Sequence, residues 1–446
     1  MLQLFKRPFV LTNVLRSSGV WSQNRYCTNN VNKENVAGTM SDVKAEIAKK
    51  LGIQEYWSVL PKNREHLIQY EPKSIDELPP RSMQDSFTSA IIPLSSDLTI
   101  RDKYVTFLGS VRLGRLMEDM DAFAVWILHK HVLLPNLDPS TPLPYTFVTL
   151  LVDQISFTEI IPKNDSDIRL SGHASWVGRS SVEVVVWLEQ KIQGKWRKLT
   201  RATFLMACRN ATNTAAAIVN PLKPANDEEK RIFTGGENRK RRRIQSQKES
   251  IFNQEPNAFE QKHIHNIFMK TMDLNNKSFN VRKIPPGAMW MEDAQLSNVI
   301  YSHPEDRNAH NSVFGGYLMR QALELSWALV YTLNRGRCRL RCINDITFTR
   351  PVPVSSLLKM HAHVVYTDMN YIEIVVVNET YDAISAEHTT SNVFYYTYVS
   401  DTPVPQVIPR SYNEAMWYLD GRRKFNAAMN LDGGNDVKIE GLTFPQ

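Results

Sequence analysis

The sequence predicts an α+β protein built from two copies of one unit, in which a long apolar helix is followed by several antiparallel strands. In the first copy, residues 113–131 place apolar side chains at helical spacing, and a second, almost wholly apolar helical pattern follows Gly315 and Gly316. Each helix precedes runs rich in Val, Ile, Phe and Thr that are separated by turn residues. A helix that is apolar nearly all round is normally buried, so we expect the strands to wrap it.

The two halves also agree residue by residue. Residues 153–158 read DQISFT and residues 344–349 read NDITFT, while residues 182–186 (VEVVV) match residues 372–376 (IEIVV). A repeat of this length indicates a duplicated domain. We expect the copies to pair about a pseudo-two-fold axis, as the subunits of a homodimer would.

The periodic runs define the predicted strands and domains. We predict strands over residues 146–158, 168–177, 182–191 and 196–207, and again over residues 340–349, 357–367, 371–378 and 390–399. The resulting organisation is a transit peptide (1–30), an N-terminal extension (31–84), a first domain (85–209), a linker with a basic helical segment (210–286), a second domain (287–402) and a C-terminal tail (403–446).

The first 30 residues contain basic side chains and no acid, and their apolar positions are loosely amphipathic. This composition is typical of a mitochondrial transit peptide, because a secretory signal would need a denser apolar core. A disordered tail is the alternative interpretation.

The overall composition narrows the class of protein. The chain has 446 residues, of which 42% are hydrophobic and 22% charged, as in a globular protein of two domains. No apolar run approaches the roughly 20 residues that span a bilayer, so we expect a soluble protein without stable membrane insertion. The four cysteines (Cys27, Cys208, Cys338 and Cys342) lack zinc spacing and are interpreted as buried, reduced thiols.

Much of the net charge of +7 lies at the N-terminus and in the run RKRRR at residues 239–243. Such a run can be a nuclear signal or a nucleic-acid patch. No aromatic residues interleave with it, so we interpret it as the solvated face of a linker helix and predict no nucleic-acid partner. The segments after the last strand of each half also correspond, PANDEEKR from Pro224 and PRSYNEAM from Pro409.

Residues 302–330 are the first candidate for a binding site. Polar, turn-forming residues that include Asn308 and His310 lead into Gly315, Gly316 and the buried helix. Glycine lets a backbone come close to a ligand, and the free N–H groups of a helix start can donate to a carbonyl oxygen or an anion.

Three acids, Glu118, Asp119 and Asp121, lie in the apolar helix of the first half. Two of them can face water, whereas Asp121 is one turn from Met117 and Val125 and is expected to point inward. A desolvated carboxylate is costly without partners, so an inward Asp121 is a functional candidate. An acid on the helix surface is the alternative interpretation.

Other kinds of catalytic site find no support in the sequence. His303 and His310 flank Asn308, and loop histidines of this kind are more often structural than catalytic. Motifs for zinc, for a serine nucleophile and for nucleotide phosphates do not occur, and we therefore predict no metal.

The stretch HPEDRNAHNSVFGGYLM, at residues 303–319, resembles the corresponding stretch of the mitochondrial acyl-coenzyme A thioesterase 9 family. The resemblance extends over both halves, roughly residues 85–402. It implies the hotdog fold, in which a long central helix is wrapped by an antiparallel sheet, with two such units in tandem.

The resemblance also implies one composite site for each pair of hotdogs, with an Asn before the Gly-Gly of one repeat and an Asp in the helix of the other. Superposing the repeats by their helices matches Asn308 with Thr106, and Asp121 with Leu323. We therefore predict that Asn308 and Asp121 form a competent site and that Thr106 and Leu323 form a degenerate one. Glu324 is the nearest acid in the degenerate pair.

In the implied mechanism Asp121 is the general base, or alternatively a nucleophile, and Asn308 orients the water or the carbonyl group. The N–H groups of Gly315 and Gly316 polarise the carbonyl group, and His310 and Glu324 are secondary candidates. The resemblance implies hydrolysis of fatty acyl-CoA to free fatty acid and coenzyme A in the mitochondrial matrix, without a cofactor.

By analogy with related double hotdogs, we expect a homo-oligomer, a trimer of double hotdogs. The alternative functions are a non-catalytic sensor of acyl-CoA or nucleotides and a hotdog enoyl-CoA hydratase.

Overall fold

The computed structural model describes residues 36–61, 63–153, 155–157, 161–273, 275, 281–334, 338–382 and 385–429. The predicted transit peptide lies outside these residues. The helices are α1 (Met40–Leu51), α2 (Met83–Ser86), α3 (Leu98–Lys103), α4 (Leu113–His131), α5 (Asp227–Lys248), α6 (Ala258–Thr271), α7 (Gly315–Asn334) and α8 (Tyr412–Ala428).

The strands form two series, each of which contains the predicted strands together with further strands that the sequence did not predict. Those up to residue 210 are β1 (Val36–Thr39), β2 (Thr88–Ile92), β3 (Tyr145–Val152), β4 (Ile155–Phe157), β5 (Ile168–Val177), β6 (Ser181–Ile192) and β7 (Lys195–Asn210). Those beyond it are β8 (Ala288–Trp290), β9 (Gln295–Tyr301), β10 (Cys338–Ile343), β11 (Ile346–Phe348), β12 (Leu357–Asp368), β13 (Tyr371–Tyr381), β14 (His388–Ser400) and β15 (Gln406–Ile408).

The main sheet runs without interruption through both halves in the order β1-β2-β5-β6-β7-β3-β11-β14-β13-β12-β9. The halves are joined reciprocally, because β3 of the first pairs with β11 of the second, and β4 of the first pairs with β10 of the second. Every pairing between these strands is antiparallel except that of β1 with β2. The two halves therefore form one continuous sheet.

Helices α4 and α7 are the central helices of the two halves, and each packs on the strands of its own half. Their apolar side chains belong to one hydrophobic core shared by both halves. The predicted tandem hotdog fold is confirmed. The halves also agree in detail, because β5 and β12 carry an irregularity at the same point, between Ala174 and Trp176 and between Val364 and Tyr366.

Two predicted strands are each divided in the structure. The prediction for residues 146–158 becomes β3 and β4, and that for residues 340–349 becomes β10 and β11. The breaks fall near Asp153 and Asn344, whose N–H groups bond to Thr203 and Tyr395 outside the regular ladder. Because of these breaks, the segment that contains β3 and β4 pairs with both β11 and β10 of the other half.

Helices α5 and α8 occupy equivalent places, since α5 packs on β5 and α8 packs on β12. The correspondence of the segments after Pro224 and Pro409 therefore reflects a repeated outer helix. Gly236 permits the close approach of α5, because a Cβ atom there would lie 2.5 Å from Cβ of Trp176.

The interpretation of residues 239–243 as a solvated face is wrong for two of its five members. Arg239 and Arg243 turn inward and form ion pairs with the buried carboxylates of Asp153 and Glu183. Lys240, Arg241 and Arg242 are exposed as predicted. Arg239 and Arg243 face inward because Asp153 and Glu183, in the first half of the sheet, are buried acids. A fully solvated helix would leave these two acids without counter-ions.

In the part of the chain that the structure describes, no helix is long and apolar enough to cross a bilayer. Cys208, Cys338 and Cys342 are free thiols, and Cys208 and Cys342 are buried.

Candidate active site

The central helices of the two halves meet at their N-terminal turns. A Cβ atom on Gly316 would lie 2.9 Å from Cα of Glu118, and one on Gly114 would lie 3.1 Å from Cγ of Arg320. An ion pair of 2.9 Å between Glu118 and Arg320 closes the contact. Gly316 is therefore needed for the close approach of α4 to α7, which differs from the ligand-contact role that the sequence favoured.

Asp121 projects from α4 toward the first turn of α7. Its side chain is buried, and its Oδ1 atom accepts a hydrogen bond of 2.7 Å from Oγ1 of Thr149 on β3. A Cβ atom on Gly315 would lie 3.4 Å from Oδ2 of Asp121. That second oxygen has no regular hydrogen-bond partner among the described residues. The inward position of Asp121 is confirmed, and the N–H of Gly316 acts on its carboxylate without forming a regular hydrogen bond.

The environment of Asp121 changes its acidity. Burial raises the pKa of its carboxyl group from 3.8 to about 6. The Thr149 hydroxyl and the N–H of Gly316 oppose this increase in pKa, whereas the charge of Glu118 adds to it. A carboxylate with this pKa is ionised near neutral pH and is a stronger base than an exposed aspartate, which is the condition for general base catalysis.

Asp119 is buried as well, which corrects the expectation that two of the three acids of α4 face water. It pairs with Lys44 of α1 at 2.8 Å and accepts a hydrogen bond from the hydroxyl group of Tyr104. These partners satisfy its charge, so Asp119 has a structural explanation that Asp121 lacks.

Asn308 lies in a tight turn that leads into α7. Its Oδ1 atom accepts hydrogen bonds from the N–H groups of His310 (2.9 Å) and Ser312 (3.2 Å). The acceptor oxygen is therefore engaged by the turn itself, and the Nδ2 amide has no hydrogen-bond partner among the described residues. Asn308 can act on a ligand only as a donor. The structure shows no direct hydrogen bond between Asn308 and Asp121.

The turn before α4 has the same construction. Thr106 accepts from the N–H of Ser110 through Oγ1, and backbone bonds of 2.8 Å close both turns, from Thr106 to Ser110 and from Asn308 to Ser312. Residue 109 is a glycine with φ of 77°, where the second turn has Asn311 at φ 57°. The predicted match of Asn308 with Thr106 therefore holds in backbone geometry.

His310 contacts strand β3 and lines a cavity. Its Nε2 atom lies 3.4 Å from the carbonyl oxygen of Phe147, and it lines a cavity of about 210 Å³ that also includes Arg64. Burial, with the charges of Arg64 and Arg209, lowers the pKa of His310 to about 4. The imidazole is neutral at physiological pH, so it would not supply a proton from the charged form.

The predicted degenerate pair has an apolar side chain on its helix. Leu323 is buried in the core where Asp121 stands in the other half. Glu324 does not take the place of the acid, because it forms an ion pair of 2.6 Å with Arg112 and its side chain is 39% exposed. Glu324 is thus engaged by a counter-ion at the start of α4.

Thr149 is a site residue that the sequence did not reveal. It lies in β3, where a threonine is an ordinary strand residue. The repeat does indicate this position, however, because the equivalent residue on β10 is Leu340. The equivalence follows from the strand pairing: Thr149 pairs with Met206 and Leu340 pairs with Tyr398, each just before a register shift. The equivalent position is therefore polar in one copy and apolar in the other, as it is for Asp121 and Leu323.

Among the described residues, no group of three or more His, Cys, Asp or Glu side chains is arranged to hold a metal ion. The fold and the site together define a double-hotdog protein with one buried carboxylate between its halves, next to the N-terminus of a helix.

Comparison with known proteins assigns the chain within this class. It is 39% identical over 390 residues to the mouse protein named acyl-coenzyme A thioesterase 9, mitochondrial, covering 86% of this chain and 88% of the mouse protein. Identity to the human protein of the same name is 40% over 364 residues, or 82% of each chain. No protein-family model matches the chain. An acyl-ACP thioesterase structure from Bacteroides thetaiotaomicron aligns with a TM-score of 0.41 and 11% identity, over 71% of this chain and all of that one.

The chain belongs to the acyl-coenzyme A thioesterase 9 family. These relatives are named mitochondrial, and the protein is accordingly assigned to mitochondria.

Proposed function

We propose that the protein hydrolyses fatty acyl-CoA to a free fatty acid and coenzyme A at one composite site, in which Asp121 of the first half acts beside the N-terminus of α7 in the second. Family membership makes the chain an acyl-CoA thioesterase, and so an enzyme. The observation that supports this particular site is the buried Asp121 carboxylate, one oxygen of which has no regular hydrogen bond, at the start of α7.

The proposed reaction begins with a water molecule held between Asp121 and the thioester carbon. Asp121 accepts a proton from this water as the oxygen forms a bond to the carbonyl carbon. The carbonyl oxygen gains negative charge, and the N–H of Gly315 at the helix start stabilises it. The N–H of Gly316 is directed at the Asp121 carboxylate instead. The bond to sulfur then breaks, and the proton on Asp121 passes to the leaving thiolate, which restores the carboxylate.

Asn308 has a narrower role in this proposal than the sequence implied. Its Oδ1 atom is engaged by the turn, so its Nδ2 amide would donate to the carbonyl oxygen or to the water. His310 and Glu324 take no part in proton transfer in the proposed reaction, because a pKa of about 4 makes the first a weak base and the second is paired with Arg112. Neither a metal nor a cofactor is required, since a thiolate is a good leaving group.

Free thiol released from acyl-CoAs of increasing chain length tests this function. Asp121→Asn should reduce kcat by roughly 100-fold or more, because the substitution removes a positioned base. Leu323→Met is the matched control at the equivalent position of the other half and should retain activity. Full activity in Asp121→Asn would reject the site, and tight binding of acyl-CoA without thiol release would support a binding protein instead. Hydration of an enoyl-CoA without thiol release would indicate a hydratase.

Three further features belong to the same proposal: the location, the oligomeric state and the absence of a metal. We place the protein in the mitochondrial matrix and expect it to act as a homo-oligomer, a trimer of double hotdogs. Fractionation of mitochondria tests the first, and light scattering of the purified chain tests the second. Activity that survives dialysis against a chelator would support the absence of a metal.

A further inference from the structure

The N-terminal extension, for which the sequence indicates no chemistry, lies against the candidate active site. The N–H of Leu60 donates to the carbonyl oxygen of Ala309 at 2.9 Å, and Nε of Arg307 donates to the carbonyl oxygen of Trp57 at 2.8 Å. The two partners in the loop, residues 307 and 309, flank Asn308. Residues 53–61 are therefore fixed directly onto the turn that carries Asn308.

Tyr56 is the side chain that this segment presents to the site. Its ring meets the ring of Phe314 edge to face, with a centroid distance of 5.9 Å and an interplanar angle of 89°. Phe314 immediately precedes Gly315, whose N–H is the first donor of α7. The Phe314 contact thus holds the tyrosine ring next to the start of that helix.

The Tyr56 hydroxyl group has no hydrogen-bond partner among the described residues. Burial, and then the charges of Asp121, Glu118 and Asp119, raise the pKa of Tyr56 well above its ordinary value of 10. The phenol is therefore protonated at any physiological pH, and its hydrogen is available for donation. The ring contact with Phe314 places the tyrosine beside the residue that precedes Gly315.

We infer that Tyr56 is a further catalytic residue, whose hydroxyl group donates a hydrogen bond to the thioester carbonyl oxygen beside the N–H of Gly315. The inference rests on the proposed function. It assigns the acid to the first half, the backbone donor to the second half, and the hydroxyl donor to the N-terminal extension. The active site then needs three separate parts of the chain.

The contribution of such a donor is greatest in the transition state. A carbonyl oxygen gains charge as water adds, and a fixed donor in a water-poor site stabilises that charge more than it stabilises the ground state. Loss of the hydroxyl group should therefore lower kcat and leave substrate binding nearly unchanged. A tyrosine that only packs on Phe314 would affect stability or KM instead.

The test compares Tyr56→Phe with the unchanged full-length chain, using thiol release from a saturating acyl-CoA. Phenylalanine keeps the ring contact with Phe314 and removes only the hydroxyl group. We expect kcat to fall about 10- to 100-fold, as for the loss of one oxyanion donor, with KM within about 3-fold. Tyr70→Phe, in the same extension, is the matched control and should keep kcat, since the Tyr70 side chain is exposed to solvent and does not pack on Phe314.

Two results would overturn the inference. An unchanged kcat in Tyr56→Phe, alongside an inactive Asp121→Asn, would reject the role of Tyr56 and leave the composite site intact. A fall in activity accompanied by a lower Tm and a higher KM would show that the ring is only structural. If Asp121→Asn is itself fully active, the proposed function fails, and the inference about Tyr56 fails with it.

Discussion

The two halves of the molecule have the same backbone arrangement, and one contact between the central helix and a strand is polar in the first half and apolar in the second. In the first half, Asp121 of α4 is hydrogen bonded to Thr149 of β3. In the second half, the equivalent positions are Leu323 of α7 and Leu340 of β10. The second half lacks both the carboxylate and the hydroxyl group, so neither polar group is left there without a hydrogen-bond partner. The second half thus keeps an apolar core at the place where the first half carries the acid.

A second difference between the halves concerns a buried glutamate at equivalent positions, Glu183 on β6 and Glu373 on β13. Glu183 in the first half forms ion pairs with Arg239 and Arg243 of α5. Glu373 in the second half accepts hydrogen bonds from Asn344 (2.8 Å) and Thr397 (2.5 Å). Burial raises the pKa of Glu373 to about 8, so it is largely protonated at neutral pH. One half compensates the buried glutamate with arginine, and the other keeps it neutral.

The largest stability effect is expected at the ion pairs of the first half. Arg239→Ala should lower the free energy of unfolding by about 3 kcal/mol or more, because it leaves buried carboxylates short of a counter-ion. Lys424→Ala, on the outer helix of the second half, should cost less than about 1 kcal/mol, since Glu373 does not depend on an ion pair. Urea denaturation at pH 7 measures both. Equal losses in the two variants would contradict the proposed difference between the halves.

A smaller effect on the free energy of unfolding, of opposite sign, is expected at Asp121. Asp121 has a pKa of about 6 in the folded chain and 3.8 as an isolated group, so folding becomes less favourable as pH rises through this interval. Above pH 7, Asp121→Asn should therefore stabilise the protein by about 1 to 3 kcal/mol while it abolishes activity. Leu323→Asn should destabilise it, because it buries an amide in an apolar site. A loss of stability in Asp121→Asn would show that the carboxylate is favourably paired.

The smallest effect concerns Glu373. Its pKa rises from 4.5 to about 8 on folding, so the free energy of unfolding falls as pH increases from about 4.5 to 8, with some loss continuing just above that range. Glu373→Gln removes this titration and should reduce the loss of stability between pH 7 and 9 by about 1 kcal/mol. Denaturation at these two pH values measures the change. An unaltered pH dependence would mean that Glu373 is already ionised at pH 7.

The sequence was sufficient to predict the architecture, because apolar periodicity and a long internal repeat act at the level of whole elements. Helix α4 has its predicted limits, and strand β5 does as well. The inward position of Asp121 was also predictable, since a single helix fixes which residues share a face. Thr149 and Tyr56 were not, because their contacts join segments distant in sequence and each is an ordinary residue locally.

The basic run at residues 239–243 illustrates the same limit. Its charge is evident in the sequence, but the acids that Arg239 and Arg243 contact lie on β6 and just beyond β3. Which arginines face the sheet depends on how α5 is rotated against it, and that is set by the contact of Gly236 with Trp176. Local composition contains no information about that rotation.

The reciprocal pairing of β3 with β11 and of β4 with β10 has a consequence for fragments of the protein. A chain cut once between residues 210 and 286 would keep these ladders, so a nicked molecule can remain folded and active. Either fragment made alone would instead present unpaired strands along the inner margin of its sheet, where another chain can add. Each half produced alone should therefore self-associate and be inactive. Mixing the two halves should restore activity by complementation.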